Sequence, residues 1–473
     1  MKIKFYSGQM ALQVLIYGGL SVILMAGFLM WADTNINAGV RYSNRALALS
    51  IAESGIEYYR WHLAHASEDY QDGTGQPGPY THNFYDKSGN KIGEFILDIT
   101  EPLIGSTVVT VKSTGKIVSD ATIEKIIEVK MGIPSLAKYA AVLNDNVRFG
   151  SGTIVSGEIH SNKGVRFDGL AYNLVTSALS SYDDPDHTGA NEFGVHTHVS
   201  PTDPLPPASV PARTDVFIVG RQFPVPEVDF VGIIQTLSQI KDNASSSGFY
   251  RGSSGAFGYE VILKTNDTFD LYRINTLVAR PSQCTDYSSS QDGWGTWSIQ
   301  ATSSIGNYSL PTNGLIFLED NVWVSGQINT ARVTIASARF PDNLSTRSSI
   351  TVNNDLLYSN YDSQDVISLI AQKNINIGLR SENDLRIDAA LIAQNGRVGR
   401  YYYVSGCGSY YIRSVITSYG MIASSQRYGF AYTNGTGYQT RNLTYDANLL
   451  YNPPPSFPLT SDSYKVLLWK EIK

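Results

Sequence analysis

The sequence predicts an α+β N-terminal module, a long transmembrane helix on an antiparallel sheet, followed by a mainly β, right-handed parallel β-helix or solenoid-like domain. Three observations predict this fold class. An uncharged apolar run continues into an amphipathic helix, alternating apolar and polar segments follow it, and short Gly- and Asn-bounded steps fill the rest of the chain. With 473 residues the chain is long enough for two or three domains.

The first element is an apolar segment without a charged side chain from Phe5 to Trp31. A bilayer is crossed by about 20 apolar residues, so we expect the membrane span over about residues 14–32. Lys2 and Lys4 precede the span and Asp33 follows it, which predicts a single-pass protein of the cell membrane with a cytoplasmic N-terminus and an extracytoplasmic head. The run ends in bulky residues, "FLMWAD", which disfavours a cleaved secretory signal.

Helical spacing continues beyond the membrane, so one helix is predicted over residues 9–70. Apolar residues recur on one side at intervals of three to five positions: Ala48, Ile51, Ala52, Ile56, Tyr59 and Leu63. Polar residues occupy the other side: Arg45, Ser50, Glu53, Glu57 and Arg60. An apolar stripe of this kind must pack on another element, which a plain membrane anchor would not need.

After the turn-rich stretch "QDGTGQPGPYTHN", three segments alternate apolar and polar residues: "GEFILDIT", "STVVTVKSTGKIVS" and "ATIEKIIEVKMG". Such alternation is typical of antiparallel strands with one buried face. We therefore predict an antiparallel sheet within residues 71–133, which gives the helical stripe its packing partner.

Residues 134–460 are predicted to form the solenoid-like head. "LIAQKN" at Leu369, "LIAQNG" at Leu391 and "MIASSQ" at Met421 resemble one step repeated at 22 and then 30 residues. Repeats of this length favour stacked rungs, and an irregular β-sandwich is the alternative. A loop insertion is expected at residues 176–221 on the surface, and an extended Pro-containing strap at residues 440–473.

A second helix is predicted over residues 228–246, with Asp229 as its N-terminal cap. Its apolar face would cover an open end or side of the solenoid. The residues of that face are Val231, Ile234, Leu237, Ile240 and Ala244.

Composition limits the class of function. The net charge is −6 and only 16% of residues are charged, so no basic surface is expected that would recruit nucleic acid. The 41 glycines and 30 tyrosines are common in extracellular β-rich proteins. Cys284 and Cys407 fit no metal or redox motif. They either pair as a disulfide in an oxidising compartment or remain two buried thiols.

The N-terminal region resembles type IV pilins. "SG-QMALQVLIYGGL" resembles their class III leader, and "RALALSIAESGIEYYRWHL" is similar to the end of the N-terminal helix in PilX-type minor pilins. The resemblance implies a leader at residues 1–8 that prepilin peptidase would cut between Gly8 and Gln9. It also implies a helix that packs with other pilins and a pilus assembly machinery, anchored in the cytoplasmic membrane.

Two departures from the pilin pattern point to a minor pilin or pseudopilin rather than a bulk subunit. Gln13 stands where major pilins carry a glutamate, and Gln9 stands where a large apolar residue is usual. The residues predicted for helix and filament packing are Gln13, Gly18, Gly19, Gly27, Glu53, Gly55 and Glu57. For the three membrane glycines, ordinary occurrence in a membrane helix is the alternative reading.

Three constellations are candidates for chemistry, and for each a structural role is favoured. The first combines "SYDDPDHTG" (Asp183, Asp184, Asp186 and His187) with "VHTH" (His196 and His198), which would suit a calcium or zinc site if further ligands were supplied. A solvated loop is the favoured reading. The second is Asp384, Arg386 and Asp388, whose spacing places all three on one strand face, as an acid–base pair of a polysaccharide lyase or hydrolase would need. A solvated strand face is favoured.

The third constellation is a tyrosine cluster in "GRYYYVSGCGSYYIR": Tyr401, Tyr402, Tyr403, Tyr410 and Tyr411. Exposed tyrosines would suit a surface glycan or protein ligand, but tyrosines partly buried at a solenoid edge are the favoured reading. The sequence therefore predicts a minor pilin that is not an enzyme and uses no cofactor or metal. A surface adhesin that is not assembled into a filament, or a membrane-anchored β-helix lyase or hydrolase, is the alternative.

Overall fold

The computed structural model describes residues 7–120, 122–284, 295–460 and 463–472, with the backbone alone at 7, 8 and 231–236. The chain divides into two compact units. Unit 1 comprises Met1–Glu101, Val109–Gly132 and Ser463–Lys473, and unit 2 comprises Pro102–Val108 and Ile133–Asp462.

Unit 1 begins with one continuous helix, α1 (Ser7–His65). At a rise of about 1.5 Å per residue, its 59 residues span about 90 Å. The six residues of the predicted apolar stripe are all buried, and the five predicted polar residues are all exposed. The prediction of one helix with two chemically different halves is therefore confirmed, although the helix ends at His65 rather than at residue 70.

Four strands form an antiparallel sheet on which the second half of α1 packs. They are β1 (Tyr80–Tyr85), β2 (Lys91–Thr100), β3 (Val109–Ile117) and β4 (Glu124–Gly132), paired in chain order. Alternate side chains, such as those of Val109 and Val111 in β3, point into a core shared with Ile51 and Tyr59 of α1. The predicted antiparallel sheet is confirmed.

Unit 2 is mainly β. Its strands are β5 (Ala141–Leu143), β6 (Val147–Phe149), β7 (Thr153–Ser156), β8 (Ile159–Ser161), β9 (Val165–Phe167), β10 (Leu170–Ala171), β11 (Val175–Ser177), β12 (Ser181–Tyr182), β13 (Glu192–Phe193), β14 (Val195–His196), β15 (Arg221–Gln222), β16 (Phe249–Arg251), β17 (Gly258–Leu263), β18 (Thr268–Leu277), β19 (Ile299–Ser309), β20 (Leu315–Leu318), β21 (Val322–Ile328), β22 (Arg332–Ser337), β23 (Ile350–Thr351), β24 (Leu356–Tyr358), β25 (Val366–Ala371), β26 (Ile375–Ile377), β27 (Asp384–Ala393), β28 (Val398–Arg400), β29 (Ile412–Ser424) and β30 (Gly437–Tyr445).

Parallel pairing dominates this unit. One ladder of parallel strands runs in the order β16, β20, β22, β25, β27, β29, β5, β8, β11 and β15. A second row pairs β17, β21, β23, β26 and β28, also in parallel. The first ladder therefore brings together strands from the beginning and the end of the sequence of unit 2, because β29 lies beside β5. A continuous apolar core fills the space on one side of these strands.

The repeated step seen in the sequence corresponds to strand register. Leu369 of β25 pairs with Leu391 of β27, which confirms the first repeat. The next pairing joins Leu391 to Ile422 of β29, one residue beyond the expected Met421. The sequence alignment of the third step was therefore wrong by one position, because Met421 points away from the core that Leu391 and Ile422 share.

Two regions depart from the predicted organisation of the head. β17, β18 and β19 form an antiparallel meander within an otherwise parallel arrangement. The expected surface insertion at 176–221 contains buried strands and side chains, among them Val195, Phe217 and His196. Its Pro- and Asp-rich composition suggested a solvated loop, but its short apolar stretches pack into the main core and its polar groups pair with one another.

The second helix of the chain, α2 (Val231–Ser247), covers one outer face of the first ladder. Its Leu237, Ile240 and Ala244 are buried against a cluster that includes Phe317 and Ile370, so it covers a side of the stack rather than an end. Val231 and Ile234 have no described side chains. The N-cap residue is Phe230 rather than the predicted Asp229, and Phe230 makes no capping hydrogen bond through its side chain.

The predicted C-terminal strap is wrong for most of its length. Residues up to Tyr445 belong to β30, which lies in parallel between β29 and β7. The three prolines at 453–455 are buried, and Arg332 donates to the carbonyls of Asn452 and Pro453 at 2.9 and 2.6 Å. The last strand, β31 (Lys465–Glu471), joins the sheet of unit 1 as the antiparallel neighbour of β4.

Candidate membrane and assembly interface

The first half of α1 presents apolar side chains to its surroundings on every side. Thirteen of its large apolar residues between positions 10 and 29, and Met30 and Trp31 after them, are more than half exposed. This apolar stretch of α1 is long enough to cross a membrane, and none of it is buried within the chain. Contiguous exposed apolar surface on this scale marks contact with lipid or with other apolar helices.

The second half of α1 differs because its apolar side is already covered by the sheet of unit 1. The change occurs between Val40, which is exposed, and Ala48, which is fully buried. The apolar surface that remains available to a membrane or to partner helices is therefore confined to the N-terminal part of the helix.

The predicted packing residues fall into two groups. Gln13 is exposed, and a Cβ atom placed on Gly18, Gly19 or Gly27 would have no atom of the chain within 4 Å. These four positions are open to neighbours outside the chain. Glu53 and Glu57 are also exposed, and Glu57 forms an ion pair with Arg60 at 3.0 Å.

Gly55 is predicted for helix and filament packing, and in the structure it serves the packing of its own helix within the subunit. It is buried against its own sheet, and a Cβ atom there would lie 2.3 Å from Oγ of Ser113 and 2.9 Å from the ring of Phe95. The absence of a side chain is thus required within the subunit, where helix and sheet approach closely.

The predicted processing point lies at the start of α1. Gly8 and Gln9 are both helical, and Gln9 is exposed. Most of the predicted leader, residues 1–6 with Lys2 and Lys4, lies outside the described residues. Cleavage between Gly8 and Gln9 stays a prediction.

The acid–base candidate on β27 is divided between two environments. Asp384 is exposed, whereas Asp388 is fully buried. Asp388 accepts hydrogen bonds from the hydroxyl of Tyr361 at 2.7 Å and from Nε of Arg386 at 2.8 Å. The expected solvated strand face is therefore wrong for Asp388, whose carboxylate is held by neighbouring groups inside the fold.

The tyrosine cluster surrounds a disulfide. Cys284 and Cys407 are bonded to each other and are buried with Tyr401 and Tyr403. Tyr401 stacks on Trp297 with ring centroids 5.8 Å apart. Exposure of the whole cluster is therefore excluded. Burial raises the pKa of Tyr403 well above its usual value, which keeps this phenol neutral.

The two histidine- and aspartate-containing segments come together, contrary to the expectation of a solvated loop. His196, Asp184 and Glu192 are buried, and His198 is largely buried. Two overlapping groups have donor atoms within 4.8 Å of one another, close enough to share a ligand: Asp184, His196 and His198, and His187, Glu192 and His198. Sequence reasoning named the histidines and Asp184 but missed Glu192, which carries no motif of its own.

Unit 2 also contains a cleft of about 510 Å³ that sequence reasoning missed. The charged residues that line it are four arginines and one aspartate: Arg148, Arg397, Arg427, Arg441 and Asp186. They are distributed over nearly 300 positions of sequence, so no local pattern indicates them.

Two of these arginines retain an unneutralised charge. Among the described residues, Arg397 and Arg441 bond only to carbonyl and hydroxyl oxygens, such as the hydroxyl of Tyr432 at 3.0 Å for Arg397 and the carbonyl of Tyr438 at 2.6 Å for Arg441. Asp186 accepts from Arg427 and lies 4.0 Å from Arg148. The cleft therefore carries a net positive charge in a chain whose total charge is negative.

Comparison with known proteins gives little beyond these observations. No protein-family model matches the chain, and no curated protein matches it. Among solved structures, the crystal structure of the competence-associated pilin ComZ from Thermus thermophilus aligns over 91% of this chain and 98% of that one. The alignment has 11% identity and a TM-score of 0.30, so nothing is transferred from it. The structure itself places the chain among proteins that have a long N-terminal apolar helix followed by a mainly β region with large parallel sheets.

Proposed function

We propose that the chain is a minor pilin or pseudopilin of the PilX-like type, a membrane-anchored structural component of a type IV pilus or related filament. The observation that carries the proposal is the division of α1 at about residue 45. Its first half is apolar and uncovered, and its second half is packed on an antiparallel sheet. The N-terminal pilin-like motifs of the sequence agree with this division.

A helix with an uncovered apolar half can exchange lipid neighbours for neighbouring helices at little cost, because lipid tails and apolar side chains offer similar contacts. Gly18, Gly19 and Gly27 would allow close approach of such helices. Gln13, in place of a glutamate, cannot neutralise the terminal ammonium of an adjacent subunit, which favours a minor position over a repeated bulk one.

Unit 2 would be the extracytoplasmic head, and we propose that it is a β-solenoid. The long parallel ladder and the short, repeated connections between its strands support this description. We also propose that the head is not an enzyme. The buried carboxylate of Asp388 is occupied by Arg386 and Tyr361, which supports a structural role.

The test is the mass and N-terminal sequence of the mature protein, expressed with and without prepilin peptidase. With the peptidase the chain is expected to begin at Gln9, and without it at Met1. A Gly8→Leu variant should remain uncut, because the small residue at the cleavage point is lost. The matched control is Ser7→Ala, which leaves Gly8 in place and should be cut normally.

A wild-type chain that begins at Met1 in the presence of active peptidase contradicts the minor pilin assignment and favours a membrane-anchored adhesin without filament assembly. Co-purification of the cut protein with sheared filaments, and its loss from them in a Gly8→Leu strain, is the second expected result.

A specific observation favours a second function for the head, the binding of an acidic surface glycan in the arginine-lined cleft. Carboxylate or sulfate groups would pair with Arg397, which has no carboxylate partner among the described residues. The buried Arg441 already donates to protein oxygens and would contribute its positive charge. Tyr428 and Tyr432 contribute aromatic surface to the same cleft. No base or nucleophile is required for binding of this kind.

Polygalacturonate oligomers and a neutral oligosaccharide of equal length serve as probes. We expect salt-sensitive binding of the acidic probe alone, and at least about tenfold weaker binding by Arg397→Gln, since a charge-assisted hydrogen bond contributes about 1.5–3 kcal/mol. Arg347→Gln is the control, because Arg347 lies outside the cleft in an ion pair with Asp342. Equal binding of both probes, or an unchanged affinity of Arg397→Gln, contradicts the assignment.

A further inference from the structure

We propose that His187, Glu192 and His198 form a binding site for a divalent transition metal of the zinc class. The three side chains come from one short region of unit 2. His187 lies in the connection between β12 and β13, Glu192 begins β13, and His198 follows β14. Nothing in the proposed pilus function requires such a site, so the two proposals stand or fall separately.

Two of the three separations between donor atoms are close to those that a tetrahedral metal needs. Nδ1 of His187 lies 3.2 Å from Oε1 of Glu192, and Nε2 of His198 lies 3.3 Å from the same oxygen. All three donor atoms are within 4.8 Å of one another. Zinc bound at about 2.0–2.2 Å in a tetrahedron places its ligands about 3.3–3.6 Å apart, so only small movements would be required.

The charge of Glu192 supplies an independent reason for a cation at this place. Its side chain is 2% exposed, and its only ion-pair partners among the described residues are the two histidines. Its other oxygen, Oε2, is buried without a hydrogen-bond partner in the part of the chain that is described. A buried carboxylate without a permanent cation is costly, and a metal ion would neutralise it.

The neighbouring carboxylates, unlike that of Glu192, already have an arginine partner. This difference identifies Glu192 as the carboxylate ligand. Asp184 also lies near His196 and His198, but it is already paired with Arg166 at 3.3 Å. Asp168 is paired with the same arginine at 2.8 Å. Asp184 and His196, which lie 3.5 Å apart, are therefore placed beside the site and not among its ligands.

The ligand types select the metal. Two imidazole nitrogens and one carboxylate oxygen suit zinc and similar divalent ions, whereas calcium prefers six to eight oxygen ligands. His187 is 42% exposed at the side chain, so the site is reached from solvent and a fourth position can be filled by water or an added ligand. The metal would join the β12–β13 connection to the segment that follows β14, fixing this region of the head.

The test uses the full chain, purified in detergent without a polyhistidine tag, stripped with a chelator and then titrated with Co²⁺ and Zn²⁺. We expect one equivalent to bind, with the intense visible bands of tetrahedral Co²⁺ that Zn²⁺ abolishes. The melting temperature of unit 2 should rise with added Zn²⁺, because the ion binds the folded state. Ca²⁺ should leave the Co²⁺ bands unchanged.

Loss of a residue that only supports a metal ligand weakens metal binding by about tenfold to a hundredfold. His198→Ala and Glu192→Gln each remove a ligand, so each should weaken binding by more than that. His65→Ala is the matched control, since His65 lies on α1 in unit 1, and it should bind like the wild type. Glu192→Gln preserves size, so it keeps the test informative if the alanine variant fails to fold.

Wild-type binding of less than half an equivalent overturns the proposal. So do Co²⁺ spectra of octahedral type, or equal affinity in the wild type, Glu192→Gln and His198→Ala. Displacement of Co²⁺ by Ca²⁺ at comparable concentration would also overturn it, because an oxygen-only site elsewhere would then explain the binding.

Discussion

In unit 1, α1 and the sheet approach each other most closely at glycine residues. A Cβ atom on Gly115 of β3 would lie 2.0 Å from the carbonyl oxygen of Ala48 and 2.6 Å from the backbone nitrogen of Ala52. Both atoms belong to the helix backbone, so neither can rotate away as a side chain could. Two further glycines lie at the same helix–sheet contact. A Cβ atom on Gly55 of α1 would meet the side chains of Ser113 and Phe95, and one on Gly93 of β2 would lie 2.4 Å from both the side chain of Ile51 and the carbonyl oxygen of Lys116.

We therefore expect Gly115→Ala to lower the free energy of unfolding by about 1–3 kcal/mol, as overpacking of a filled interior does. Chemical denaturation of the detergent-solubilised protein, read by hydrogen exchange of β3 peptides, measures the effect. Gly39→Ala is the control, because no atom of the chain lies within 4 Å of the added methyl group. It should be neutral or stabilise the helix by up to about 1 kcal/mol. Equal stability of the two variants would contradict the close-approach argument.

Glu260 of β17 gives a prediction for pH dependence. Burial raises the pKa of its carboxyl group, and no hydrogen bond or ion pair to it is recorded within the described ranges. A raised pKa in the folded state means that the neutral form is favoured by folding. The wild type should therefore lose stability as the pH rises from below the normal glutamate pKa through the raised value.

Glu260→Gln removes that charge, so its melting temperature should exceed that of the wild type at pH 7.5. The difference should shrink toward pH 4, where the wild-type carboxyl group becomes protonated. Glu94→Gln is the control, since Glu94 is solvent-accessible and paired with Lys91. A difference that persists unchanged at low pH would show that the cause is not the charge.

Among the elements, β31 was the least predictable from sequence. Its residues pair with β4, for example Trp469 with Val129, and Lys470 contacts Glu128 at 2.7 Å. This pairing joins segments more than 300 residues apart, and no local pattern encodes such a partner. The α1 stripe was predictable for the opposite reason, because its period lies within one element and its buried side is fixed by spacing alone.

Deletion of residues 463–473 should expose the edge of β4 and increase amide exchange in β4 and β3, while β25 and β27 of unit 2 remain protected. Lys470→Ala is the control. It keeps the backbone pairing and removes an exposed ion pair worth about 0–1 kcal/mol, so the exchange of β4 should barely change. Unchanged protection of β4 after the deletion would show that β31 does not stabilise the sheet.

The same distinction between local and distant information applies to the candidate sites. The histidines and Asp184 were visible in two short motifs, but their burial was not, because it depends on β9 and β13 packing around them. Glu192 and the four arginines of the cleft were missed, since isolated charged residues, in short strands or in the connections between them, carry no periodic signal. The fully buried Arg400, which donates to the carbonyl of Leu379 and the hydroxyl of Ser381, was equally invisible.

At the scale of the whole molecule, the chain combines two units that have their own cores with a helical segment that places no side chain in either core. Residues 9–43 are exposed, apart from a half-buried Ala32, and none of them belongs to a core cluster. The first fully buried residue of α1 is Ala48. The apolar half of the helix is therefore available for contacts outside the chain, and its exposed surface lowers the solubility of the protein in water.

Deletion of residues 1–43 should consequently yield a protein that is soluble without detergent and unfolds at the same temperature as the full chain. The full chain should remain in the membrane fraction. Deletion of residues 1–57 removes Ala48, Ile51, Ala52 and Ile56 from the core of unit 1 and should unfold that unit, since the loss of each isoleucine side chain alone costs about 2–5 kcal/mol. Circular dichroism and hydrogen exchange of β2 and β3 distinguish the two truncations. If the shorter deletion also unfolds unit 1, the exposed half of α1 has a stabilising role inside the subunit, and its assignment as a purely external interface is wrong.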